Sequence, residues 1–175
     1  MPATTLVLGG ARSGKSAHAE ALVLGSGLRP VYVATAEALD GEMSERVRRH
    51  RERRADAWLT VEEPLALPEI LADLAGPERA VLVDCLTLWV TNLLLAQRPV
   101  AEAGDRLLGV LARRSGPVVL VSNEVGQGIV PLGELTRTFV DEAGRLHQKV
   151  AAAADLVRLI VAGLPLDLKT PATGA

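Results

Sequence analysis

At 175 residues the chain has the length of one ordinary domain, large enough to bury its own core. Its 49% hydrophobic and 23% charged residues exclude a disordered chain or a coiled coil, and two Trp, one Tyr and one Phe are too few to stack rows of bases, which argues against a nucleic-acid partner. A net charge of -2 gives no global attraction to polyanions, the single Cys85 cannot close an intramolecular disulfide, and no apolar run approaches the roughly 20 residues that span a bilayer, so a cytoplasmic protein without a transmembrane segment is expected.

Taken in chain order, Thr4 to Leu8 is a short apolar run that predicts a strand, followed by a Gly/Ser/Arg loop over Gly9 to Ser13 and a helix from Gly14 to about Leu24. Val31 to Thr35 reads as a second buried strand. Asp40 to Arg54 is highly charged, with apolar residues only at Met43 and Val47, a helical spacing. A short strand over Trp58 to Val61, a helix over Pro68 to Leu74 and an apolar strand over Ala80 to Asp84 come next. Helices are then expected at Leu86 to Gln97 and Ala101 to Arg114, before a Val-rich strand over Pro117 to Ser122 that runs into Asn123 and Glu124. A long helical pattern covers Leu132 to Ala154, Leu156 to Val161 is another strand, and Leu164 to Lys169 reads as an edge strand. Continuous apolar strands alternating with helices predict a single α/β domain over residues 1–169, with a mostly parallel sheet between two helical layers. There is no internal repeat or linker, and residues 170–175 are expected to form a mobile tail.

Gly9-Gly10-Ala11-Arg12-Ser13-Gly14-Lys15-Ser16 matches the pattern G-x-x-x-x-G-K-S/T between a predicted strand and a predicted helix. In such a loop the glycines let the backbone curl, so that successive N–H groups point at phosphate oxygens beside the positive end of the following helix. Lys15 is expected to reach the β- and γ-phosphates, and Ser16 to offer its hydroxyl to Mg²⁺. An acidic residue on a neighbouring strand should hold the metal's water shell. Asp84, ending Val81-Leu82-Val83-Asp84, is the first candidate; its bland alternative is a cap on the next helix. Glu124 is the second, or could instead polarise an acceptor or water. With no Asn-Lys-x-Asp segment, a signalling GTPase is not expected.

Residues 42–54 hold six of the sixteen Arg and three Glu, a local charge of +3 concealed by the near-neutral total. On a helix Met43, Val47 and His50 fall at i, i+4 and i+7, which sets the imidazole on the inward stripe with most guanidinium groups beside it. Flanking cations disfavour protonation and leave a ring nitrogen free to act as nucleophile or base, while the same arginines would attract a triphosphate. A solvated basic face whose His completes a hydrogen bond fits the same residues. His18 and His147 lack such surroundings and are read as structural.

The phosphate loop, the Ala34-Thr35 strand end, Asp40, Glu42-Met43, Arg46, His50-Arg51, Trp58, Glu62-Glu63-Pro64 and Ser122-Asn123-Glu124-Val125-Gly126-Gln127-Gly128-Ile129-Val130-Pro131 together resemble the bifunctional adenosylcobinamide kinase / adenosylcobinamide-phosphate guanylyltransferase family of cobalamin biosynthesis, from about residue 5 to residue 169. The resemblance implies a RecA-like P-loop NTPase fold and a homo-oligomer, with the trimer as the state toward which the family tends. It implies two reactions: the terminal hydroxyl of adenosylcobinamide receives the γ-phosphoryl group of an NTP, and GTP then gives GMP to that phosphate. The second passes through a GMP-histidine phosphoramidate at the position of His50, with Lys15 as the other catalytic residue. By match of position, the nucleotide contacts implied are Gly9, Gly10, Ala11, Arg12, Ser13, Gly14, Lys15, Ser16, Ala34, Thr35, Ala36, Arg51, Glu52, Arg53, Arg54, Glu62 and Asp84, with Mg²⁺ at Ser16 and Asp84 and with GTP and ATP as substrates. A kinase of another small hydroxyl metabolite without a covalent intermediate, and a P-loop motor or binding module driven by a macromolecular partner, are the competing readings. With so few rings, guanine would be held mainly by backbone, aliphatic and carboxylate contacts.

Overall fold

A computed structural model describes residues 1, 3–36 and 57–171. The expected helix over Asp40 to Arg54, with Met43, Val47 and His50, and the last four residues of the expected tail lie outside the described residues.

The chain runs β1 (Thr4–Gly9), α1 (Lys15–Leu24), β2 (Arg29–Ala34), β3 (Leu59–Glu62), α2 (Leu67–Leu74), β4 (Arg79–Asp84), α3 (Leu86–Leu95), α4 (Val100–Arg113), β5 (Val118–Asn123), α5 (Glu134–Ala153), β6 (Leu156–Val161) and β7 (Leu164–Lys169). Each element expected among these residues is present, with ends displaced by at most two residues and β6 and β7 matching at both ends. The strands form one seven-stranded sheet in the order β3-β2-β4-β5-β1-β6-β7, parallel throughout except for the β6–β7 hairpin at one edge.

The central strands are apolar on both faces, and their two-residue period divides the core into two clusters. Leu6, Leu8, Val31, Val33, Val81, Val83, Val118 and Leu120 pack against α2 to α5. Val7, Tyr32, Ala34, Ala80, Leu82, Val119, Val121 and Ile160 face the other way, against Ala19 and Val23 of α1. Trp89 of α3 is the largest fully buried side chain, and its Nε1–H donates to the Leu65 carbonyl at 3.0 Å. The ring thus joins α3 to the segment that leads into α2.

This arrangement positions a cleft. The connection leaving β1 carries α1 to one face of the sheet, whereas that leaving the adjacent β5 carries α5 to the opposite face. Neighbouring parallel strands whose connections part in this way leave a crevice beyond their carboxyl ends, where ligands of open α/β sheets bind.

Candidate active site

Gly9 ends β1 at that crevice. A Cβ there would come within 2.5 Å of Ser13 Oγ and 2.7 Å of the Ile160 carbonyl oxygen, so only glycine allows the loop to fold back on the strand. Gly14 has φ +96°, a left-handed conformation that a side chain would strain. Ser13 N–H donates to the Gly10 carbonyl at 3.3 Å, and the Ser13 carbonyl accepts from Gly163 N–H at 2.9 Å, which ties the loop to the β6–β7 turn. Helix α1 then begins at Lys15, with Gly14 at the cap and no side chain bonded to the first-turn amides. Those amides remain available to an anion at the positive end of the helix.

Lys15 is buried although charged, and its Nζ donates to the Gly10 carbonyl at 3.2 Å inside the loop. Ser16 is half-buried one residue further on. Gly10, Ala11 and Arg12 are exposed along the outer curve.

Asp84 ends β4; the topology corrects the expectation that its strand neighbours the phosphate-loop strand, and the helix cap removes its bland alternative. Its strand does not adjoin β1: β5 lies between them, pairing Gly9 with Asn123 on one side and Asp84 with Val121 on the other. Nor does Asp84 cap α3, because the N-cap is Cys85 and no side chain caps that helix. The residue is half-buried at the carboxyl end of the parallel strands, one strand across from the phosphate loop. Burial first, then the Asp84 charge, pushes the Cys85 thiol up to about 11, with Lys15 acting weakly in the opposite direction. Lys15 and Asp84 thus act on one point at the carboxyl end of the sheet, and Cys85 stays an un-ionised thiol.

A buried polar network lies beneath these groups. Thr35 Oγ1 accepts from Cys85 N–H at 2.8 Å and donates to the Cys85 carbonyl at 2.7 Å. Asn92 Nδ2 donates to the carbonyls of Thr35 at 2.7 Å and Pro64 at 3.1 Å, while Asn123 Nδ2 donates to Thr87 Oγ1 at 2.8 Å. Glu63 Oε1 accepts from the N–H groups of Leu65 and Ala66. Satisfied networks of this kind hold strand ends in one geometry. They also revise the expectation that Thr35 touches nucleotide: it is fully buried, with Oγ1, N–H and carbonyl all engaged, so it sits below the site. Ala34 is also buried, and its carbonyl accepts from Glu63 N–H; Ala36 is half-buried and Glu62 exposed. Asn92 and Thr87 were not anticipated as supports. His50, Arg51, Glu52, Arg53 and Arg54 lie outside the described residues.

His147 of α5 is buried, and its Nε2 lies 2.7 Å from Ser122 Oγ of β5. Burial holds its pKa below the ordinary histidine value, with the Glu124 charge pulling more weakly the other way. His18, bonded to Arg158 at 3.3 Å, is lowered chiefly by burial and then by the Arg158 charge. When a histidine is harder to protonate folded than unfolded, the unfolded chain binds more protons as the pH falls below about 6.5. The urea midpoint should therefore drop between pH 7.5 and pH 5.5, and His147→Asn should flatten that drop. A steeper drop in the variant would show that His147 does not contribute in this sense.

A glycine-rich loop between a parallel strand and a helix, a lysine folded into that loop and a strand-end aspartate across an intervening strand define a P-loop nucleoside-triphosphate site on an α/β fold. The fold alone is shared with a protein of Pyrococcus horikoshii OT3 of known structure, at TM-score 0.57 and 12% identity over 95% of this chain and 86% of that one. The family model described as cobinamide kinase / cobinamide phosphate guanyltransferase (CobU) matches residues 5–168. Among curated relatives, the bifunctional adenosylcobalamin biosynthesis protein CobP of Pseudomonas aeruginosa is 55% identical, covering 94% of this chain and 96% of the relative. The corresponding CobU protein of Salmonella typhimurium is 43% identical over 94% of this chain and 98% of its own length. The chain belongs to this bifunctional kinase and guanylyltransferase family.

Proposed function

We propose that this enzyme phosphorylates the terminal hydroxyl of adenosylcobinamide with an NTP and then converts the product to adenosylcobinamide-GDP with GTP. The observation that carries this reading is the complete phosphate loop, with Lys15 folded inside it, in a chain of this family. In the first reaction the acceptor oxygen bonds to the γ-phosphorus as the bond to the nucleoside diphosphate breaks. In the second, a neutral ring nitrogen of His50 bonds to the α-phosphorus of GTP and pyrophosphate leaves; a phosphate oxygen of the acceptor then displaces the histidine and takes the GMP. The amides of Gly9 to Ser16 and the Lys15 ammonium offset charge on the phosphates in both reactions. Arg12, Ala34, Ala36, Arg51, Glu52, Arg53, Arg54, Glu62 and Asp84 complete the proposed nucleotide site; Thr35 supports it from below.

Mg²⁺ fits the residues present. A metal held mainly by substrate phosphates and water needs only one or two protein oxygens, which matches the Ser16 hydroxyl and the Asp84 carboxylate left uncommitted to the helix cap. When bound, it would neutralise phosphate charge at that edge of the site. Among the described residues no group of three or more acidic, His or Cys side chains forms a separate metal site. No helix among them is long and apolar enough to cross a membrane, and we place the enzyme in the cytoplasm.

Self-association is part of the proposal. Leu164, Leu166 and Leu168 are exposed at alternate positions on the edge strand β7, beside exposed Val161, an uncovered apolar face. We expect a trimer by light scattering, shifted toward smaller species by Leu166→Lys with Leu168→Glu; an unchanged mass would exclude this face as the interface.

Incubation with adenosylcobinamide, ATP and GTP tests the activity. Mass spectrometry should find first adenosylcobinamide phosphate and then adenosylcobinamide-GDP, with pyrophosphate released. Nucleotide turnover indifferent to the corrinoid would overturn the reading.

A further inference from the structure

The kinase reaction has a requirement that the guanylyl transfer lacks. An aliphatic hydroxyl is un-ionised at neutral pH and must lose its proton as its oxygen bonds to phosphorus, whereas a phosphate monoester is already ionised before it attacks. Lys15 and the loop amides can donate hydrogen bonds but cannot take that proton.

The carboxyl ends of the central parallel strands offer few acceptors. Strand β1 ends in Gly9 and β2 in Ala34; among the described residues, β4 with Asp84 and β5, followed by Glu124, bring carboxylates to these central strand ends, while Glu62 ends the edge strand β3. Glu63, after β3, is committed to the amides of Leu65 and Ala66. Asp84 is one strand removed from the phosphate loop, but Glu124 is joined to it: its N–H donates to the Gly9 carbonyl at 3.1 Å. Glu124 therefore stands at the mouth of the crevice where the connections of β1 and β5 part.

Its side chain is held without being consumed. Oε1 accepts from Gly126 N–H at 2.8 Å, a turn closed within the loop itself, and among the described residues Glu124 forms no ion pair. The residue is half-buried, with the buried His147–Ser122 pair behind it within electrostatic reach. One carboxylate oxygen is thereby oriented by a backbone amide, leaving the other to meet a ligand in the crevice.

We propose that Glu124 is the general base of the kinase reaction, a role that rests on the function proposed above. Its carboxylate takes the proton of the acceptor hydroxyl while the acceptor oxygen bonds to the γ-phosphorus and the nucleoside diphosphate departs with the electrons of the broken P–O bond. The proton passes from Glu124 to solvent after the phosphorylated acceptor leaves. In the guanylyl transfer Glu124 has no proton to accept.

The test compares the two reactions in wild type, Glu124→Gln and Glu124→Asp, supplying adenosylcobinamide for the first and prepared adenosylcobinamide phosphate for the second. Glu124→Gln should lower kcat for phosphorylation by about 10²- to 10⁴-fold, the usual worth of a positioned base, while guanylyl transfer stays within about threefold of wild type. Glu124→Asp, which keeps a carboxylate on a shorter arm, should recover at least about tenfold of the kinase loss. Retained guanylyl transfer reports that the variant is folded and binds nucleotide. Equal loss of both reactions, or loss of neither, would overturn the role of Glu124. If wild type itself turns over neither corrinoid substrate, the proposed function fails, and the base assignment falls with it.

Discussion

Lys15→Ala should abolish both phosphorylation of the acceptor and guanylyl transfer, each by about 10³-fold or more. Lys15 is buried within the phosphate loop, with its Nζ on the Gly10 carbonyl, so its ammonium sits where a phosphate chain would lie. In kinase chemistry it offsets charge near the transferring γ-phosphoryl group. In guanylyl transfer the departing pyrophosphate comprises the same β- and γ-phosphates, so the same cation should serve. The variant's folding can be checked by its urea midpoint, because the Thr35, Cys85 and Asn92 network beneath the site does not include Lys15. Guanylyl transfer surviving in Lys15→Ala would show two separable nucleotide sites.

His50→Ala should separate the reactions in the opposite sense from Glu124→Gln. Guanylyl transfer should fall by about 10⁴-fold or more, because the variant lacks the nitrogen that receives GMP, whereas the kinase rate should stay within about threefold. The expectation from sequence is that arginines flanking His50 disfavour its protonation and leave a ring nitrogen free to attack. Initial rates for each acceptor, measured separately, check this outcome. Matching losses in both reactions would assign His50 to nucleotide binding rather than to covalent transfer.

The two variants also bear on what a sequence can reveal. The phosphate loop was legible because its residues are contiguous and their backbone needs are local: Gly9 for the close approach to Ile160, Gly14 for its left-handed turn. Strands such as Ala80 to Asp84 were legible as apolar runs, although their alternate residues enter two different cores. Strand order was not, because pairings such as Thr4 with Val118 join distant segments and leave no local mark. That is why Asp84 was expected beside the loop when β5 intervenes. Thr35 was expected at the nucleotide by match of position to the family, but only the fold shows its hydroxyl turned down onto Cys85. One signal was available for Asn92: the lone amide of α3, set among mostly apolar residues, must find partners when buried, and it does so at Thr35 and Pro64. The role of His50 rests on the charge pattern and family membership, since its segment lies outside the described residues.

The most direct test of the two-reaction account is to incubate the enzyme with α-labelled GTP and recover the protein. A base-stable, acid-labile adduct should form in wild type, pass its label to adenosylcobinamide phosphate when that acceptor is added, and be absent from His50→Ala. An adduct that persists in His50→Ala, or guanylyl transfer by wild type with no labelled protein along the way, would contradict the account.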